Sequence, residues 1–125
     1  MKNKTAVWYQ DKVIHGGGGG KIIGYPTINL SPRPLLSKIK MGVYAALVRY
    51  QNKIYRGALY LGPRLIKKGK KIILEIHILD FNQPIYGQTI EFQIVRFIRP
   101  PIAVKNIDQL KKQIKNDVEK ILAVD

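Results

Sequence analysis

The chain has 125 residues, 46% of them hydrophobic, which suits a single globular domain over residues 1–125 and excludes intrinsic disorder. With 22 Lys and Arg against 8 Asp and Glu, the formal net charge is +14, so anionic partners are favoured: a phosphorylated nucleotide, nucleic acid or an acidic surface. The lack of cysteine excludes disulfides and thiolate metal sites, and no apolar run nears the ~18 residues that span a bilayer. Met1 to Tyr9 is too short for the apolar region of a signal peptide and is followed by Gln10 and Asp11. The expectation is a soluble cytoplasmic protein.

The first distinctive segment runs from Gly16 to Asn29. Five consecutive glycines, Gly16 to Gly20, can turn through positive φ and bring several N–H donors to one anion, with Lys21 adding a point charge beside them. Thr27 and Asn29 lie two apart in an extended segment, so they face the same way and offer two hard oxygens to Mg²⁺. The spacing matches neither the Walker loop nor the Rossmann fingerprint. Taken alone, the glycines would also serve as a flexible linker and Thr27 and Asn29 as turn residues.

Next come β-type segments. Val43 to Tyr50 and Ile54 to Leu61 are predicted to form a hairpin through Gln51-Asn52-Lys53, with Gly62-Pro63 ending the second strand. Lys67 to Lys71 reads as a solvated turn, with phosphate steering as the other reading. In the strand predicted from Ile72 to Phe81, Glu75 and His77 share one face while Leu74, Ile76 and Ile78 take the other. Thr89 to Ile98 alternates as a half-buried strand should. The period then changes: Ile107, Leu110, Ile114, Val118 and Ile121 form one helical stripe, opposite Lys111, Lys112, Lys115, Asp117 and Lys120. Asn106 and Gln109 resemble a capping box at its start. Strands followed by one helix suggest a small barrel whose helix plugs a side or an end.

Several blocks in this order resemble the riboflavin kinase family. Val13-Ile14-His15-Gly16 through Pro26-Thr27-Ile28-Asn29 is similar to its glycine-rich signature, with Lys21 at an Arg position and Tyr25 at a Phe position. Gly42-Val43-Tyr44-Ala45, Leu74 to Phe81, Ile85-Tyr86-Gly87, Phe97-Ile98-Arg99-Pro100 and Ile107 to Asp117 follow the family pattern over nearly the whole chain. The resemblance implies a six-stranded antiparallel Greek-key β-barrel with a C-terminal α-helix. It further implies Mg²⁺-dependent transfer of a phosphoryl group from ATP to the riboflavin 5′-hydroxyl, giving FMN.

On that resemblance Gly16, Gly18, Gly20 and Lys21 hold the nucleotide phosphates, and Thr27 and Asn29 hold Mg²⁺ and touch the phosphates. Glu75 is the general base, and Arg99 lies in a mobile flap near the flavin. A monomer acting on small molecules is expected, with no membrane partner. A chain of these bounds would make FMN and leave FAD synthesis to another protein. The pattern is departed from at Tyr60, where Asn is customary, at Pro63, and at Pro101, which follows Arg99-Pro100 where Glu is customary. Two other readings compete. One is a basic barrel taking single-stranded nucleic acid on Tyr44, Tyr50, Tyr55 and Tyr60; the other is a flavin-binding relative without catalysis.

Overall fold

The computed structural model describes residues 6–15, 25–64 and 71–124. Six strands form one antiparallel sheet: β1 (Tyr9–Lys12), β2 (Ile28–Leu30), β3 (Gly42–Tyr50), β4 (Lys53–Pro63), β5 (Ile72–Ile78) and β6 (Thr89–Arg99), in the order β1-β6-β3-β4-β5-β2. Just beyond β1, the Ile14 N–H donates to the Asn29 carbonyl of β2 at 2.8 Å, which joins the two outer strands and nearly closes a barrel. β3, β4 and β5 form a meander and β6 returns beside β3, the Greek-key arrangement.

Local chemistry sets the turns. Gln51 and Asn52 take φ of 48° and 66°, the two positive values of a type I′ turn, and Tyr50 pairs with Lys53 across it. β4 runs through Gly62 to Pro63, past the predicted stop, because proline is tolerated where a strand ends and its missing N–H breaks no ladder. β5 ends at Ile78, before the predicted Phe81, since Asp80 adopts φ 56° and turns the chain.

The alternation of the strands fills the barrel from inside. Leu30, Leu59, Leu61, Leu74, Ile76 and Phe92 are among the fully enclosed side chains. A second cluster lies outside the sheet, where Ala45 and Leu79 meet Ile121 and Val124. It is covered by α1 (Ile107–Leu122), which lies along the barrel wall and not across an end. Its N-terminus carries the expected cap: Gln109 N–H donates to Asn106 Oδ1 and Lys105 N–H to Gln109 Oε1, each at 2.9 Å. Its C-terminus receives Arg56, whose Nη1 donates to the Leu122 carbonyl at 2.8 Å.

The predicted stripe needs one correction. Asp117 is 3% exposed and belongs to the buried face with Leu110 and Ile121, whereas Ile107 at the first turn is open to solvent. Seven residues from Leu110 and four from Ile121, position 117 completes two helical turns onto the same side. Among the described residues no helix is long and apolar enough to cross a membrane.

Candidate active site

Antiparallel pairing aligns residues distant in sequence. Asn29 of β2 lies opposite Glu75 of β5, Glu75 opposite Tyr60 of β4, Tyr60 opposite Val43 of β3, and Val43 opposite Arg99 of β6. Directly paired residues share a sheet face. The neighbours Ile28, Leu30, Leu59, Leu61, Leu74 and Ile76 all fill the core, so this row points outward.

Arg99 joins the row through a β-bulge. Strict alternation after the core residue Phe97 would send Ile98 out and Arg99 in. The register shifts between Val43 and Tyr44, so Tyr44 pairs with Phe97 and Val43 with Arg99, leaving Ile98 as the extra residue. A bulge re-aims the side chain that follows it. Gly42 lets the strands close there, with its φ of 151° and no Cβ to strike the Arg99 carbonyl.

Once outside the sheet, the Arg99 guanidinium meets Asp117. Nε donates to Oδ1 and Nη2 to Oδ2, both at 2.8 Å, while Nη1 donates to the Pro100 carbonyl at 3.1 Å. Gln113 Nε2 adds a 3.1 Å hydrogen bond to Asp117 Oδ1. Arg99 was expected in a mobile flap; it is the last residue of β6 and is held by a buried ion pair.

Glu75 is half-buried, and loss of hydration raises its carboxyl above the ordinary range, partly opposed by the nearby Arg64 charge. Beside it, Tyr60 folds along β4 over Gly62 and donates its hydroxyl to the Pro63 carbonyl at 2.5 Å. Burial pushes its phenol up to about 12; the Arg99 charge opposes the shift and Glu75 adds to it, so both site charges reach this ring. It stays a neutral donor throughout the working range.

Two residues along β5, His77 shares the outward face, and its Nδ1 lies 3.0 Å from the Pro26 carbonyl while Tyr25 meets the ring edge-on at 5.4 Å. This tie fixes the segment leading into Thr27. Thr27 itself stands one residue before β2 and borders a shallow recess with Pro26, Ile76, Ile78, Phe81 and Asn82.

Thus, of the expected site residues, Asn29, Glu75 and Arg99 fall in one row, with Thr27 at its edge. Gly16, Gly18, Gly20, Lys21 and the lysines at 67, 68 and 70 lie outside the described residues. Asp117 and Gln113 were missed. The signal for Asp117 was its place on the helical stripe. Of the tyrosines proposed for base stacking only Tyr60 lies in the row; Tyr44 and Tyr50 are buried in the barrel core and Tyr55 packs on Phe81.

A model of the riboflavin kinase family matches residues 4–124. The chain belongs to this family. A bifunctional riboflavin kinase/FMN adenylyltransferase of Haemophilus influenzae is 41% identical over 109 residues, covering 86% of this chain and 35% of that protein. The chain therefore spans about a third of the length of such bifunctional relatives. Among solved structures, a Streptococcus pneumoniae protein described as a macrolide-efflux protein superposes with TM-score 0.80 and 33% identity, over 96% of this chain and 40% of that one. The riboflavin kinase of Trypanosoma brucei superposes with TM-score 0.64 at 22% identity, over 93% of this chain and 77% of that chain, a likeness of fold.

Proposed function

We propose that the chain transfers the γ-phosphoryl group of ATP to the riboflavin 5′-hydroxyl, releasing FMN and ADP. The observation that carries this reading, beyond membership of the family, is the outward pairing of Glu75 with Asn29. It sets a desolvated carboxylate beside a hard oxygen donor on the outer face of the barrel.

Phosphoryl transfer asks mainly for positioning and charge neutralisation. Glu75 accepts the 5′-hydroxyl proton as that oxygen attacks phosphorus and the bond to ADP breaks. Its raised proton affinity brings it closer to the pH at which a base works best. Thr27 and Asn29 supply neutral oxygens suited to Mg²⁺, which binds few protein ligands and keeps several waters. Among the described residues no cluster of three His, Cys, Asp or Glu competes for a metal. When bound, Mg²⁺ neutralises the charge of the transferring phosphate. The glycine run from Gly16 to Gly20 and Lys21 hold the nucleotide phosphates, and Arg99 steadies the flavin end. We place the reaction in the cytoplasm and expect one copy of the chain to suffice, since Thr27, Asn29, Glu75 and Arg99 all belong to one barrel.

The test is conversion of riboflavin to FMN with ATP and Mg²⁺, read by chromatography for wild type and Glu75→Gln. Loss of a positioned base should lower kcat by about 10²–10⁴-fold, while flavin fluorescence still reports binding. Binding without turnover in wild type would leave a flavin-binding protein and no kinase.

A further inference from the structure

Resting on the kinase reading, we propose that Asp117 of α1 is a positioning residue that presents Arg99 to the carbonyl-bearing edge of the flavin. Its carboxylate is almost fully enclosed, with side-chain exposures of 4% for Asp117 and 11% for Arg99. Burying two charges on a helix and a strand costs hydration, and replacing such a pair with apolar residues is often neutral or stabilising, so stability alone is a weak reason to keep it.

What the pair does is geometric. Asp117 occupies the side of the guanidinium formed by Nε and Nη2, and Pro100 takes one N–H of Nη1. A guanidinium has five N–H groups. The two left over, one on each terminal nitrogen, form the end-on fork that grips paired or electron-rich oxygens. Gln113 braces the carboxylate from the preceding helical turn. A long side chain that would otherwise sample many rotamers is thereby fixed before any ligand arrives, which lowers the entropy cost of binding.

The distance fits a flavin. From Glu75 to Arg99 the row crosses three strand steps, roughly 14 Å at ~4.8 Å per step. An extended ribityl chain with its fused rings covers such a span, with the hydroxyl end at Glu75 and the ring carbonyls at Arg99. Tyr60 forms the floor between them, over the enclosed Val43. α1 thus serves as one wall of the flavin site.

The experiment compares wild type, Asp117→Asn, Arg99→Lys, the double variant and Gln113→Ala. Riboflavin Kd is measured by fluorescence quenching, KM and kcat by turnover, and unfolding by urea. Asp117→Asn should raise the Kd and KM for riboflavin about tenfold to a hundredfold, with the KM for ATP changed less than about twofold. The double variant should be no worse than the poorer single one, as expected for residues acting as a unit. Lower stability with unchanged riboflavin Kd, in wild type that makes FMN, would overturn the proposal and leave the kinase reading intact. Wild type that neither binds riboflavin nor makes FMN would overturn both. Should the Asp117 variants not fold, Gln113→Ala decides: a raised riboflavin Kd supports the positioning role and an unchanged one refutes it.

Discussion

Gly42 is the position where a single methyl group should do most harm. Its φ is +151°, and a Cβ there would lie 2.4 Å from the Arg99 carbonyl oxygen and 2.6 Å from Phe97 Cε1. Real Cβ contacts essentially never fall under 3.0 Å, so β3 and the end of β6 would have to part by about 0.6 Å in a close-packed sheet. The backbone conformation costs a residue with a Cβ ~1–3 kcal/mol, and the forced separation adds ~1–3 kcal/mol. The expected destabilisation by Gly42→Ala is therefore about 2–6 kcal/mol, centred on about 4, a large share of the 5–15 kcal/mol typical of a domain. At roughly 4 °C per kcal/mol for a chain of this size, Tm should fall by about 8–24 °C, with about 16 °C at the centre of the range. Gly87→Ala is the control: φ is +82° but nothing lies within 4 Å of the added Cβ, so the cost should stay at ~1–2 kcal/mol. Urea unfolding of both variants tests the reasoning. If Gly42→Ala came within about 1 kcal/mol of Gly87→Ala, steric exclusion at the bulge would be refuted.

Glu75→Gln should be more stable than wild type at neutral pH. Burial raises the folded-state pKa of Glu75, so wild type loses stability as pH climbs from the ordinary carboxylate range through the raised value, and the neutral amide does not. The advantage should vanish below the ordinary range, where both side chains are uncharged; a gap between the variants independent of pH, in urea midpoints measured from acid to neutral, would contradict this. Asn106→Ala removes the helix cap and should cost about 1 kcal/mol, seen as a small fall in Tm with m-value unchanged.

Strand positions were legible because alternation carries them: Leu74, Ile76 and Ile78 inward, Glu75 and His77 outward. The hairpin at Gln51-Asn52 and the cap at Asn106 were legible too, since each depends on a few adjacent residues. Arg99 was not. Its direction depends on a bulge, and the bulge depends on Gly42 meeting a strand more than fifty residues later, a contact no local pattern encodes. Asp117 was misplaced for another reason. A charge on a helix is ordinarily solvated, and its partner had been assigned to a loop. The pairing of Asn29 with Glu75 likewise appears only when β2 and β5 are laid side by side.

The geometry of the barrel also favours the proposed site on its outside. Even eight strands enclose just enough space for side chains, and six enclose less; here Phe92 and the enclosed leucines and isoleucines take all of it. Among the described residues the interior is lined by enclosed side chains, which leaves the outer face as the place for a flavin or a nucleotide. Each strand therefore divides its labour by parity, with alternate residues building the core and the intervening ones available for ligand. On β5 this places Glu75 between Leu74 and Ile76, two of the most enclosed of the described residues. The proposed base is thus mounted between fully enclosed neighbours, and the wall's far side needs support of its own. α1 provides it, through apolar contacts that hold the helix in place and through Asp117, which fixes the direction of Arg99.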